Sequence, residues 1–161
     1  MIREATLSDI RTIHDMIVEL AVYEKEPHAV VATPRDLEAA LFGPAPALFA
    51  HVAEDEDGNV VGFALWFLNY STWLGKHGIY LEDLYVKPEH RGAGHGVALL
   101  STLAGICLER GYGSLEWWVL DWNTPARDFY ASIGADALTE WIPYRVTGDS
   151  LTQLAARRAK N

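Results

Sequence analysis

The spacing of apolar residues in the first third of the chain predicts one short strand and two helices. The strand covers residues 2–5. A helix over residues 7–24 is indicated by apolar side chains that recur every three or four positions: Ile10, Ile13, Ile17 and Leu20. Thr6 is suited to capping that helix. The Thr-Pro pair at residues 33–34 is a typical start of a second helix, which ends at residues 43–44.

Strand-like runs follow in the middle of the chain. Residues 47–54, 60–69 and 79–86 are rich in apolar and aromatic side chains, and turn-forming residues separate them. The acidic turn at residues 55–58, which ends in glycine, favours a hairpin between the first two runs. The pattern therefore predicts three consecutive strands, the last of which ends before Pro88.

The last part of the chain alternates between helical and strand-like patterns. A long helix over residues 94–110 is expected to end at Gly111 and to bury one stripe, made of Val97, Leu100, Leu103, Ala104 and Leu108. A strand over residues 114–120, a helix over 124–134 and a strand over 141–146 follow, before a polar C-terminal tail or helix. This order predicts a mixed α/β fold around one sheet.

Composition bounds the class of protein. Half of the 161 residues are apolar, which is enough for a single domain, residues 1–161, with one core. The formal net charge of −9 argues against a nucleic-acid partner, because such a partner needs a basic face. The longest apolar run, residues 63–68, is far shorter than the ~20 residues of a membrane span. With no signal peptide visible, we expect a cytoplasmic protein without a membrane partner.

Cysteine and histidine give no sign of a metal site. Cys107 is the only cysteine, so no intrachain disulfide is possible. It falls in an apolar helix, where a small core residue is expected and a nucleophile is not. The six histidines lack the spacing of metal ligands. No metal is therefore predicted.

The most informative segment is the glycine loop, residues 91–96 (Arg-Gly-Ala-Gly-His-Gly), which joins a predicted strand to a predicted helix. Glycines let the backbone approach a ligand closely, and the first N–H groups of a helix point at an anion, so this order suits a pyrophosphate. A dinucleotide fingerprint needs a glycine where Val97 stands, and a P-loop needs Gly-Lys before Ser or Thr. A loop whose glycines serve only to turn the chain is the alternative.

Five segments together resemble the GNAT superfamily of N-acetyltransferases, and in particular its spermidine/spermine and thialysine N-acetyltransferase branch. They are the glycine loop, Tyr-Leu-Glu-Asp at 80–83, Tyr-Ser-Thr-Trp-Leu-Gly-Lys at 70–76, Leu-Asp-Trp-Asn at 120–123 and Phe-Tyr-x-x-x-Gly-Ala at 129–135. The resemblance implies the GNAT fold, a mixed, mostly antiparallel central sheet with splayed strands and helices on both faces. It also implies acetyl-CoA as the cofactor and direct acetyl transfer to a primary amine of a small molecule.

The resemblance assigns three groups of residues to acetyl-CoA. The backbone of Leu84, Tyr85 and Val86 pairs with the pantetheine arm, whose amides extend the sheet as another strand would. The loop and the first helical turn hold the pyrophosphate, through Arg91, Gly92, Ala93, Gly94, His95, Gly96 and Val97. The far side of the cofactor is lined by Asn123, Thr124, Pro125 and Ala126.

Two catalytic residues are also implied by the resemblance. Tyr130 is the general acid for the leaving thiolate, since the ordinary pKa of a phenol, about 10, exceeds that of a thiol, about 8.5. Glu82 binds the incoming ammonium and helps to remove its proton, directly or through water. A packed aromatic side chain and a structural ion pair are the respective alternatives.

The acceptor site is, by the same resemblance, lined by Glu82, Asp83, Trp73, Glu116, Trp117 and Trp118. Glu82 and Asp83 are neighbours on the predicted strand, so they face opposite sides and paired carboxylates are not expected. Several acids that bind a long polyamine in the family are replaced here, by Ser71, Pro27, His28 and Ile142. A lysine-like or thialysine-like amine, or a short diamine, therefore fits better than a long polyamine.

Two functions of other classes compete with this interpretation. One is a CoA-binding module that has the fold and no catalysis, against which the joint presence of Glu82 and Tyr130 argues. The other is acetylation of protein N-termini or lysines, which the acidic charge does not favour. A homodimer is expected from the resemblance alone.

Overall fold

A computed structural model describes residues 1–158 of the chain. The chain divides into two compact units, Met1–Leu120 and Asp121–Asn161. The prediction that residues 1–161 form one domain stays a prediction. Each helix within residues 1–158 is too short or too polar to span a lipid bilayer.

The first unit is built on a five-stranded sheet in which the strand order follows the chain order. The strands are β1 (Ile2–Glu4), β2 (Phe49–Glu54), β3 (Val60–Ser71), β4 (Lys76–Val86) and β5 (Leu115–Glu116). β1 to β4 pair antiparallel, whereas β5 pairs with β4 in parallel. The three predicted middle strands are confirmed, and the hairpin of β3 and β4 is longer than the sequence indicated.

Among the described residues, three α-helices belong to the first unit and two to the second. They are α1 (Ile10–Tyr23), α2 (Pro34–Phe42) and α3 (His95–Arg110), followed by α4 (Thr124–Ser132) and α5 (Gly148–Ala156). A single 3-10 turn, Leu7–Asp9, precedes α1, and Thr6 caps this turn rather than α1: its backbone N–H donates to Asp9 Oδ2 at 2.7 Å. The second unit thus has the predicted helix at residue 124, and its C-terminal segment is a helix rather than a tail.

Helices cover both faces of the sheet, as predicted. α1 and α2 pack on one face, where Ile13 and Met16 share a core with Phe63, Leu65 and Tyr85. α3 packs against β2, β3 and β4 on the other face. Its buried residues are Leu99, Leu100, Leu103 and Cys107. β4 therefore lies between two helical layers.

The predicted buried stripe of α3 is partly wrong. Leu100 and Leu103 are buried, but Ala104 is exposed, and Val97 and Leu108 are 43% and 84% exposed. The face that meets the sheet is centred on residues 99, 103 and 107, and the three exposed residues point away from that centre at 100° per residue. An almost wholly apolar helix does not reveal which of its faces is buried.

Two predicted strands differ from the structure. Only Leu115 and Glu116 of the predicted strand 114–120 join the sheet, and residues 141–146 form no strand. Pro143 in the second segment cannot donate to a ladder, although the flanking aromatic and β-branched residues favour strand formation. Residues with high strand propensity form a strand only where the edge of a neighbouring strand is available for pairing.

Candidate active site

An irregularity in the β3–β4 ladder lies at Glu82. Leu65 pairs with Asp83 and Trp66 pairs with Leu81, so Glu82 has no partner of its own on β3. This is a β-bulge, an extra residue on one strand that re-aims the side chains around it. The bulge falls within the segment to which the catalytic and acceptor residues were assigned.

The bulge places Glu82 and Asp83, hereafter the acidic pair, on one face of the sheet. Leu65 belongs to the core under α1, so its partner Asp83 also faces that side. Leu81 pairs with Trp66 and faces the other side, and Glu82 alternates with Leu81. The prediction that the two carboxylates face opposite sides is therefore wrong, because strict alternation fails at an inserted residue.

Negative charge is concentrated at the acidic pair. Burial, then Glu82, then Glu24 raise the pKa of Asp83 to about 7. Burial also raises the pKa of Glu24, the capping residue that follows α1. Neighbouring carboxyl groups of this kind favour an incoming cation. Sequence reasoning missed Glu24, because a position at a helix end does not show which strand that end meets.

The edge of β4 that faces β5 is paired over only two residues. Ile79 and Tyr80 pair with β5. From residue 81 to Val86, no strand within residues 1–158 pairs with this edge. An open strand edge offers backbone donors and acceptors to an extended ligand. Residues 84–86, assigned to pantetheine by resemblance, lie in this open stretch.

The glycine loop follows β4 and leads into α3. Gly92 and Gly94 have φ values of 80° and 85°, in the left-handed region that favours glycine. The first hydrogen bond of α3 runs from Ala98 N to Gly94 O at 2.9 Å. The backbone N–H groups of His95, Gly96 and Val97 therefore make no hydrogen bond within α3 and point outward from its N-terminus. The predicted succession of strand, loop and helix is confirmed.

Arg91 connects the glycine loop to α1 and β4 through side-chain contacts. Its Nε donates to the Val86 carbonyl at 2.8 Å. Its guanidinium carbon lies 5.3 Å from the ring centre of Tyr23 and 5.4 Å from that of Tyr85. These are cation–π distances, so Arg91 is held between α1 and β4. Its contact with a pyrophosphate stays a prediction.

An aromatic row lies beside the acidic pair; it consists of Phe67 on β3, Tyr80 on β4 and Trp118 in the segment after β5. The ring centres of Phe67 and Tyr80 are 5.0 Å apart, and those of Tyr80 and Trp118 are 6.0 Å apart at 88°. Phe67 lies two residues from Leu65 on β3, so the row lies on the face of the acidic pair. Trp118 is 62% exposed, so a ligand can reach its ring.

The other acceptor residues assigned by resemblance lie in different places. Glu116 pairs with Tyr80 and so borders the aromatic row, and Trp117 beside it is half-buried. Trp73 lies in the β3–β4 turn and is 91% exposed. The six residue steps from Lys76 to Glu82 span about 20 Å of strand. Within one chain, the structure does not bring Trp73 to the acidic pair.

The second unit contains the remaining assigned residues on and before α4. Asn123 caps this helix by accepting a hydrogen bond from Ala126 N at 3.4 Å, and Thr124 and Pro125 form its first turn. Tyr130 is half-buried on the same helix, and its ring centre lies 5.4 Å from that of Phe129. The local conformation that the sequence predicted for this segment is present.

The fold and the open edge of β4 beside a glycine loop define an acetyltransferase. Residues 11–135 match the model of the acetyltransferase (GNAT) family, so the chain belongs to this family. It is 41% identical to thialysine N-epsilon-acetyltransferase of Bos taurus, over 98% of each chain. It is 33% identical to L-ornithine N5-acetyltransferase of Arabidopsis thaliana, over 93% of this chain and 85% of the relative. An integron cassette protein from V. cholerae has a similar structure, with a TM-score of 0.79 and 28% identity over 96% of both chains.

Proposed function

We propose that this acetyltransferase moves the acetyl group of acetyl-CoA directly to a primary amine of a small molecule, either lysine-like or a short diamine. The observation that carries the proposal is the acidic pair, which lies on the strand whose open edge precedes the glycine loop. The relatives named for thialysine and ornithine acetylation support an amine acceptor of this size.

The residues around the open edge fit acetyl-CoA. A Cβ atom at Gly92 or Gly94 would meet no protein atom within 4 Å, so the loop borders open space. The helix start adds outward N–H groups that bind an anion. Residues 84–86 supply the strand edge for pantetheine, and residues 92–97 supply the pyrophosphate contacts. When bound, acetyl-CoA supplies an activated thioester.

The acidic pair is proposed to bind and deprotonate the acceptor. A primary amine has a pKa near 10, so it arrives as an ammonium and must lose a proton before it can attack. A carboxylate on Asp83 or Glu82 attracts the cation. Glu82, which the bulge redirects, takes the proton directly or passes it to water.

Tyr130 is proposed to supply the proton that the departing sulfur takes up. Its place on α4, seven residues after the capping Asn123, matches the family pattern quoted above. A phenol is a weaker acid than a thiol and ordinarily holds its proton at neutral pH, so a phenol beside the sulfur can donate to the leaving thiolate. The acid and the base therefore lie on different elements of the chain.

Thiol release from acetyl-CoA tests the proposed function. We expect release with lysine-like amines and short diamines, and far slower release with spermine or with peptides carrying an N-terminal amine. The product of each reaction is identified by mass. Release with none of the amines would favour a CoA-binding module, and a preference for peptides would favour protein acetylation.

Cys107→Ala is expected to leave kcat and KM within about twofold of the wild type, because transfer is direct. Cys107 is buried, its Sγ lies 3.5 Å from the Ser114 carbonyl, and burial raises the pKa of its thiol. A thiol in this state is a weak nucleophile. Steady-state kinetics of the variant check this, and a large fall in kcat with an unchanged Tm would point to an acetylated cysteine instead.

Homodimerisation remains a prediction from family resemblance, and a cytoplasmic location remains a prediction from the sequence. Sedimentation equilibrium at micromolar protein measures the first, and cell fractionation measures the second. Neither is needed for the roles proposed for the acidic pair.

A further inference from the structure

Glu116 is held in one orientation on the face of the acidic pair. Ser114 Oγ donates to one of its carboxylate oxygens at 2.8 Å, and Asn69 Nδ2 donates to the other at 3.4 Å. Gly78 lies against both donors, since a Cβ atom there would come within 2.5 Å of Asn69 Oδ1 and 2.6 Å of Ser114 Oγ. The glycine therefore leaves the room that this arrangement needs.

Among residues 1–158, no cation forms an ion pair with Glu116. Both hydrogen bonds come from neutral groups, and within residues 1–158 the two ion pairs described are made by Arg3. The side chain is also exposed. A preoriented, exposed carboxylate of this kind suits a cationic ligand group.

The distance between Glu116 and Glu82 corresponds to a short carbon chain. Glu116 pairs with Tyr80, two residues from Glu82. With strands about 4.8 Å apart and a rise of about 3.3 Å per residue, their Cα atoms lie about 8 Å apart. Four to six methylenes separate two nitrogens by about 6–9 Å. Tyr80 of the aromatic row pairs with Glu116 and lies two residues from Glu82, so its ring neighbours both carboxylates and can pack against methylenes.

We propose that Glu116 determines acceptor specificity by binding the second cationic group of a two-cation amine, while the acidic pair holds the ammonium that is acetylated. This rests on the proposed function. An amine with only one cationic group offers no second cation to the Glu116 carboxylate. A much shorter diamine cannot reach both carboxylates at once.

Two amines of equal length test this role: 1,5-diaminopentane and 1-aminopentane. We expect the wild type to favour the diamine in kcat/KM by about tenfold or more, which corresponds to one charge-assisted contact. Glu116→Gln is expected to lower this preference at least fivefold. Ser114→Ala, which removes the closer donor, is expected to lower it less. Glu109→Gln, an exposed glutamate on α3, is the matched control and keeps the wild-type preference.

An equal loss for both amines in Glu116→Gln, or a wild type without a preference for the diamine, would overturn the role of Glu116. Calorimetric binding of 1,5-diaminopentane separates this from failure of the proposed function. If no amine is acetylated, the proposed function is wrong. In that case a weaker Kd in Glu116→Gln than in Glu109→Gln still supports a cation site at Glu116, and an unchanged Kd overturns it.

Discussion

Tyr130→Phe is expected to lower kcat about a hundredfold or more while the KM for acetyl-CoA changes little. The substitution removes one hydroxyl and keeps the ring that contacts Phe129. Without that proton donor the sulfur must leave as a thiolate or take its proton from water, and general acid catalysis of this kind contributes about 10²–10⁴-fold. Steady-state kinetics with saturating amine measure the effect.

Tyr144→Phe provides the matched control for Tyr130→Phe. Tyr144 lies in the same unit and is 92% exposed, so loss of its hydroxyl should leave kcat unchanged. Far-UV circular dichroism and Tm of both variants show whether α4 remains folded. A kcat for Tyr130→Phe within threefold of the wild type would reject the role of general acid.

Asp83→Asn is expected to change activity and stability in opposite directions. At pH 8 the wild-type carboxylate is ionised and binds the ammonium, so the variant should lose about 10- to 100-fold in kcat/KM for the amine. The same substitution removes a half-buried charge next to Glu82 and Glu24, so the free energy of unfolding should rise by on the order of 2 kcal/mol at pH 8. Denaturant titration and amine kinetics measure the two effects.

The pH dependence follows from the raised pKa of Asp83, about 7 in the folded protein against an ordinary value of 3.8. The folded state holds this proton more tightly, so the stability it contributes is present below pH 4 and is lost as the pH rises through 7. Asp83→Asn should therefore equal the wild type in stability near pH 4 and exceed it above pH 7. In activity, the wild-type kcat/KM for the amine should rise through about pH 7.

Asp15→Asn, an exposed aspartate on α1, is the matched control for Asp83→Asn. It should show neither the gain in stability nor the loss of amine kcat/KM. If Asp83→Asn destabilised the protein at pH 8, or bound the amine as tightly as the wild type does, the assignment of Asp83 as a cation-binding group would be wrong.

The glycine loop and the helix caps were predictable because their signals are local. Gly92 and Gly94 adopt left-handed φ values that other residues rarely adopt, and an apolar strand and helix flank them. The capping residue Thr33, which precedes Pro34 at the start of α2, is recognisable from its own side chain in the same way. For such features, neighbours within about four residues along the chain suffice.

The arrangement of the acidic pair was not predictable, because it depends on register between two strands. The sequence around Glu82 does not show that this residue lacks a pairing partner on β3. The bulge arises from the pairing of Leu65 with Asp83 and of Trp66 with Leu81. The same limit explains why the strand predicted at residues 141–146 is absent: its residues have strand propensity, but they do not pair with the edge of another strand.

By itself the sequence determined the family, the order of the main elements and the segment suited to a cofactor's pyrophosphate, because these depend on residue type and short spacing. Tertiary structure decided that Glu82 and Asp83 share a face and that Glu24 contributes to the raised pKa of Asp83. It also placed Glu116 beside Tyr80 of the aromatic row, on the same face as Glu82 and Asp83. The physical reason is that strand register and electrostatic fields are set by groups that are close in space and distant in the chain.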